Sequence, residues 1–191
     1  MTKGIIFDLY NTLIYSGRKI NPYTAFFSEI GITKTEKGLW LDRVLKENFN
    51  SFEEIKNEIY PESKIYTQKY DYMVEEEIEG TNLYDDTYES LEYLKDRYDI
   101  FLLSNAATPY KKCFYDLGLD KYIKDPFFSC DLGYRKPEKE IFDIVVNKSG
   151  FKRSELVMIG DSMRSDYEGA INSGIRALLK NKPLKEIISS L

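Results

Sequence analysis

Residues 4–14 read Gly-Ile-Ile-Phe-Asp-Leu-Tyr-Asn-Thr-Leu-Ile, an apolar run that breaks on a carboxylate, Asp8. A continuous apolar run of this length, without polar alternation, is the pattern of a strand buried on both faces, as in a parallel sheet. Working outward from 4–9, three further runs of the same kind stand at 100–104, 156–160 and 176–179, with a shorter candidate at 127–129. The segments between them carry helical patterns at 85–97, where Tyr88, Leu91 and Leu94 share a face, and at 109–117, 137–149 and 165–173. Pro137 suits the first turn of its helix. Strands alternating with helices predict an α/β domain built on a parallel sheet.

One segment breaks the alternation. Residues 16–80 hold no buried-strand pattern, but four stretches, 23–30, 37–48, 52–58 and 66–78, read as helices. The chain therefore divides into a core of residues 1–15 and 81–191 and an all-helical insertion of residues 16–80. The many tyrosines and charges of the insertion read as the interior and the solvated face of a small bundle.

Composition narrows the chemistry. The chain has 191 residues, 42% hydrophobic and 31% charged, enough to bury a core. Its net charge of −5 argues against a nucleic-acid partner, which a basic patch would serve. No apolar run approaches the ~18 residues of a membrane span, and the first residues lack a signal-peptide pattern. Cys113 and Cys130 form no metal-type pair, and the expected setting is cytoplasmic. The histidine count is zero. That removes histidine triads, bases and metal ligands together, leaving carboxylates, lysine, hydroxyls and a hard cation as the available chemistry.

Ligands of an open parallel sheet bind beyond the carboxyl ends of its strands. Asp8 lies after the first strand, Ser104-Asn105 at the end of the second, and Asp161 after 156–160, with Asp166 close behind; Lys136 precedes the helix at Pro137. Taken singly, each has a structural reading: Asp161 or Ser162 as a helix cap, Asp166 at a helix N-terminus, Lys136 in solvent, Ser104-Asn105 in a turn. Matching positions in one sheet favour a shared site. Asp8 can serve as a carboxylate nucleophile. Asp161 and Asp166, with Asp8 shared, supply the oxygen ligands that Mg²⁺ prefers. Lys136 offsets the charge of nucleophile and anionic substrate, and Ser104 and Asn105 bind substrate oxygens.

These residues resemble the motifs of the haloacid dehalogenase (HAD) superfamily. Asp8-Leu9-Tyr10-Asn11-Thr12-Leu13 is similar to its first motif, Leu103-Ser104-Asn105 to its second, and Arg135-Lys136-Pro137-Glu138 to its third. Gly160-Asp161-Ser162 through Asp166, then Glu168-Gly169-Ala170, is similar to its fourth. The resemblance implies a Rossmann-like, three-layer core with the 16–80 segment as a helical cap. It also implies a small-molecule anionic substrate, Thr12 helping to bind its anion, and the Tyr10 carbonyl as a further Mg²⁺ ligand.

Tyr10 departs from most phosphatases of that superfamily, which place a second aspartate there to protonate the leaving group. A phenol of pKa ~10 is a poor general base near neutrality, and the expected catalytic part for Tyr10 is a hydrogen bond donated to the leaving oxygen. The departure favours leaving groups that need no proton. The favoured expectation is Mg²⁺-dependent hydrolysis of a small phosphorylated metabolite. The alternative is a 2-haloacid dehalogenase, whose family members resemble this chain in Asp-x-Tyr but need no metal; Arg43 would then be the candidate to hold a substrate carboxylate. Two lesser readings are a phosphonatase-like enzyme, with a lysine among Lys37, Lys46, Lys56, Lys64 and Lys69 forming a Schiff base, and a non-catalytic binding protein.

Overall fold

A computed structural model describes residues 1–123, 125–189 and 191. In chain order the elements are β1 (Gly4–Phe7), β2 (Ile14–Ser16), α1 (Pro22–Glu29), α2 (Lys34–Val44), α3 (Phe52–Ile59), α4 (Gln68–Glu79), β3 (Thr81–Leu83) and α5 (Thr87–Leu94). There follow β4 (Asp99–Ser104), α6 (Lys112–Asp116), β5 (Pro126–Phe128), α7 (Ser129–Leu132), α8 (Lys139–Ser149), β6 (Leu156–Gly160), α9 (Gly169–Asn172), β7 (Arg176–Leu179) and α10 (Leu184–Ile188).

Five strands form one sheet in the order β5-β4-β1-β6-β7, every neighbouring pair parallel. The opening apolar run is the central strand, Gly4 lying opposite Asp99 of β4 on one side and Leu156 of β6 on the other. Alternate side chains point to opposite faces. Ile5 and Phe7 enter the core under α5, α6 and α10, with Leu91, Leu94, Phe114 and Leu184. Ile6 enters the second core under α8 and α9, with Ile141, Phe142, Val145 and Ala170. Helices on both faces leave the strand no polar side, so its pattern is a run and not an alternation. The result is a three-layer, Rossmann-like α/β core.

From β1 the chain builds β4 and β5 to one side, then crosses back to build β6 and β7 on the other. That reversal opens a crevice at the carboxyl ends of β1, β4 and β6. β1 ends at Phe7, short of the expected 4–9, because the chain turns there. The Asp8 N–H still donates to Ile159 O at 2.9 Å, but the Leu9 carbonyl already accepts from Leu13 at 2.9 Å and Ile14 at 3.1 Å.

Helices α1 to α4 occupy residues 22–79 and enclose an apolar centre of their own that includes Phe26, Phe27, Phe52, Ile55, Tyr70 and Val74. The Phe26 ring lies 5.0 Å from Phe52 and 5.3 Å from Tyr70, edge-on to each. Local signals set the helix starts: Thr33 and Glu36 form a reciprocal capping box on α2, and Ser51 caps α3 by accepting from Glu54 N–H. Between core and helices runs a two-stranded antiparallel ribbon, Ile14 opposite Leu83 and Ser16 opposite Thr81. Each ribbon strand has three residues and one buried position, too short for a periodicity to show.

Two expected helices begin differently. Pro137 does not lie in a first turn: the Glu138 N–H closes a turn onto Arg135 O at 2.8 Å, and α8 starts after it, at Lys139. The expected helix over 165–173 is a wide π-helical turn, Met163–Glu168, running into the short α9. Ser162 O accepts from Tyr167 N–H, five residues on, as well as from Asp166 N–H. Turns of this kind occur frequently at functional sites. Among the described residues, no helix is long and apolar enough to cross a membrane.

Candidate active site

A cleft of about 220 Å³ opens at the carboxyl ends of β1, β4 and β6, lined by Asp8, Tyr10, Asn11, Ser104, Asn105, Lys136, Asp161, Ser162, Ser165 and Asp166. Its centre is the Lys136 ammonium, 1% exposed as a residue. Nζ donates to Asp8 Oδ1 at 2.6 Å, to Asp166 Oδ1 at 2.6 Å and to the Leu103 carbonyl at 2.7 Å. Three protons meet three acceptors, so the lysine is saturated and fixed. Asn105 holds its backbone: the amide oxygen accepts from Lys136 N–H at 2.8 Å, and the amide nitrogen donates to Lys136 O at 2.9 Å.

The acidic side is built on β1 and β6. Asp8 sits at the first bend after β1 and is 7% exposed. Asp166 reaches back from the π-helical turn over the end of β6, where its Oδ2 accepts from Ser162 N–H at 2.9 Å. Gly160 makes the approach possible, since a Cβ there would lie 2.3 Å from Asp166 Cγ. Oxygens of Asp8, Asp161 and Asp166 all lie within 4.8 Å of one another.

Three carboxylates thus face one ammonium in a largely buried site. Burial pushes Asp8 up to about 6; Lys136 pulls it down, while Asp166 and Asp161 add repulsion. Asp161 is also raised, first by burial and then by Asp166. Burial works against the Lys136 charge, but Asp8 and Asp166 outweigh it and hold its pKa above the ordinary lysine value.

Seven of the eight residues singled out from the sequence therefore meet: Asp8, Tyr10, Ser104, Asn105, Lys136, Asp161 and Asp166. The structure places the eighth, Thr12, in the core. It is fully buried, does not line the cleft, and its Oγ1 has no hydrogen-bond partner. The loop folded onto Leu9 carries it inward. The Tyr10 hydroxyl donates to Cys113 Sγ at 3.1 Å, a core partner distant in sequence. Burial pushes this phenol far above its ordinary pKa, with Cys113 adding to the effect.

Asn11 and Ser165 are cleft residues that drew no role from sequence, and Ser162, expected as a candidate helix cap, lines the cleft as well. Asn11 takes a left-handed backbone, φ 59°, which asparagine tolerates. Ser162 accepts from Ser165 N–H and so caps the π-helical turn beside the carboxylates.

A second cavity of about 480 Å³ adjoins the cleft, the two sharing Tyr10 and Asn105. Its walls come from the core (Ala106, Ala107, Tyr110) and from the helical insert (Tyr23, Leu41, Val44, Leu45), with Ser16, Arg18, Lys19, Glu77 and Thr81 completing it. Arg43 lines neither cavity. It pairs with Glu47 and Glu58 and stacks on Trp40, its carbon 4.4 Å from the ring centre. Of the insert's lysines, Lys46 pairs with Asp42 and Glu138, Lys56 with Glu53 and Lys69 with Glu29; none of these lines the cleft.

The chain is similar to several known proteins. The HAD-hydrolase YfnB of Bacillus subtilis (strain 168) is 32% identical over 121 residues, 62% of this chain and 50% of YfnB, so the chain spans about half the length of that relative. The pyrimidine 5'-nucleotidase PynA of Streptococcus pneumoniae is 24% identical over 202 residues, 94% of this chain and 84% of PynA. Among solved structures, the HAD family enzyme BT-2542 of Bacteroides thetaiotaomicron, in complex with magnesium and inorganic phosphate, superimposes with a TM-score of 0.71. It covers 97% of this chain and 98% of its own at 20% identity, a likeness of fold. The model of the haloacid dehalogenase-like hydrolases matches residues 2–174, which takes in four of the five sheet strands, the ribbon and the whole helical insert; the chain belongs to that family.

Proposed function

We propose that this chain is a Mg²⁺-dependent phosphohydrolase that uses Asp8 as nucleophile on a small phosphorylated metabolite. The observation that carries the reading is the acidic cluster of Asp8, Asp161 and Asp166, gathered within 4.8 Å around a single ammonium. Like charges at this spacing in a buried site repel one another unless a further cation joins them. An all-oxygen donor set fits Mg²⁺, and the Tyr10 carbonyl, from the same loop as Asp8, is the expected fourth protein ligand. Bound there, the ion would neutralise the carboxylates and the phosphoryl oxygens.

The chain's own groups account for the rest. Lys136 holds Asp8 and Asp166 in place and screens their charge against an incoming dianion. Ser104 and the backbone beside it face the cleft as donors to phosphoryl oxygens. An Asp8 oxygen forms a bond to phosphorus as the ester P–O bond breaks, its electron pair leaving with the departing oxygen. Water then attacks the phosphorus of the acyl phosphate, releasing inorganic phosphate and restoring the carboxylate. The helical insert, α1 to α4, serves as the cap that selects the leaving group. Relatives support the class: PynA is a pyrimidine 5'-nucleotidase, and BT-2542 was solved with magnesium and inorganic phosphate.

The test is hydrolysis of p-nitrophenyl phosphate in Mg²⁺ and in EDTA, run beside chloride release from 2-chloropropionate. Mg²⁺-dependent phosphate release supports the reading. Chloride release in EDTA without phosphatase activity would reject it for a dehalogenase, a role for which the tethered Arg43 offers no substrate clamp.

A further inference from the structure

From the cavity beside the cleft and the tethered Tyr10 we infer that the substrate is an aryl monophosphate, the phosphate ester of a phenol whose ring occupies the space between core and insert. The inference rests on the phosphohydrolase reading and narrows it to one class of leaving group.

Two independent observations converge. The first is the cavity itself. It adjoins the cleft, with Tyr10 and Asn105 as shared walls, which puts it on the side toward which a leaving group on a phosphate beside Asp8 can extend. Its walls are mainly apolar and aromatic: Leu41, Val44 and Leu45 from the end of α2 and beyond it, and Tyr23, Tyr110 and Tyr10 around them. Tyr10 and Tyr110 meet edge-on at 6.2 Å, and Tyr23 lies 6.4 Å from Tyr110. Rings set this way present faces and edges to a planar guest. Of the polar groups in the wall, Arg18 pairs with Glu76 and the Glu77 carboxylate is already engaged. Glu77 accepts from Ile20 N–H at 2.6 Å, from Asn21 N–H at 2.8 Å and from the Tyr110 hydroxyl.

The second observation concerns the proton. The Tyr10 hydroxyl donates to Cys113 Sγ at 3.1 Å, and Lys136 spends its three protons on Asp8, Asp166 and Leu103 O. Neither side chain has a proton free for a departing oxygen. A phenol oxygen needs none: the P–O bond breaks, its electron pair stays on oxygen, and the phenolate takes its proton from solvent after release. An alkoxide has no such stability, and losing general-acid assistance costs typically ~10²–10⁴-fold. The chemistry of the cleft and the shape of the cavity therefore select the same class.

The experiment is a panel in Mg²⁺ with the wild-type protein: 1-naphthyl, phenyl, hexyl and glycerol phosphates, with acetyl phosphate as a small reference that needs no proton. The expected order of kcat/KM is naphthyl above phenyl, and both at least about a hundredfold above hexyl and glycerol phosphates. Substituted phenyl phosphates should show kcat rising steeply as the phenol becomes more acidic. Leu41→Asp, which puts a charge in the cavity wall, should lower the naphthyl-to-acetyl phosphate ratio of kcat/KM about tenfold. Glycerol or hexyl phosphate turned over as well as the aryl esters would overturn the inference while leaving the phosphohydrolase reading intact. An unchanged ratio in Leu41→Asp would overturn the placement of the ring. No Mg²⁺-dependent turnover of any phosphate would overturn both.

Discussion

Lys136 and Asp161 stand on opposite sides of one electrostatic balance, and substituting them should move stability in opposite directions. Lys136 is buried and neutralises two buried carboxylates. Lys136→Ala strands both, and removing one partner of a buried pair costs about 3–5 kcal/mol; urea denaturation at neutral pH should show a loss of that order. Asp161 is a third carboxylate whose ionisation burial and Asp166 oppose. Asp161→Asn should therefore raise the melting temperature of the metal-free protein and abolish its stabilisation by added Mg²⁺. A variant less stable than wild type in EDTA would show that Asp161 is not under repulsion. The sequence made the identity of this cluster legible because each member lies at a strand end or just after one, where patterning alone locates it. It could not show where a side chain turns once it leaves the backbone. Tyr10 finds Cys113, 103 residues away, and Thr12 goes into the core, because the loop after β1 folds on Leu9.

At the scale of the element, the end of β6 and the π-helical turn act as one unit. Asp166 passes so close over Gly160 that a Cβ would overlap it at 2.3 Å. Gly160→Ala should displace the carboxylate with the rest of the sheet intact, and a shift of ~1 Å at such a site costs about 10²-fold. The check is kcat/KM beside a far-ultraviolet dichroism spectrum, with activity falling and the spectrum unchanged. Full activity would mean that Asp166 has room to move. The strands were readable from sequence because burial on both faces leaves continuous apolar runs, and 156–160 and 176–179 match β6 and β7 residue for residue. The π-helical turn was not, since its wider hydrogen bonding leaves no mark on a 3.6-residue pattern. Nor was the β2–β3 ribbon, where one buried residue per strand gives no period.

Across the whole molecule, the helical insert and the core meet around the turn that carries Lys136. Asp42 of α2 accepts from Arg135, and Lys46 pairs with Glu138, so two bridges flank the lysine in sequence. Asn48 Nδ2 adds a bond to Cys130 O at 3.1 Å, and Thr108 donates to Asn48 Oδ1 at 2.9 Å. Burial alone would raise Asp42, but hydrogen bonds from Lys46 and Arg135 hold it below its ordinary 3.8. A depressed carboxylate stabilises the fold fully above its unfolded pKa and loses that contribution as pH falls through the lower folded value. The melting temperature of Asp42→Asn should thus lie below that of wild type at pH 7, with the gap closing below pH 3.8. A gap that persists in acid would assign the effect to packing. The four helices between residues 22 and 79 were legible because 16–80 lacks strand runs. The contacts between core and insert were not, because they join charged residues that on sequence alone read as solvated.

The account rests on Asp8 as the group that attacks phosphorus. The most direct measurement is acid quenching of the protein during turnover of an aryl phosphate, followed by mass analysis of its peptides, for wild type and Asp8→Asn in Mg²⁺ and in EDTA. The account predicts a phosphate adduct on the peptide carrying Asp8, formed in Mg²⁺, absent in EDTA, and lost together with turnover in Asp8→Asn. Turnover that survives Asp8→Asn, or an adduct on another residue, would contradict it.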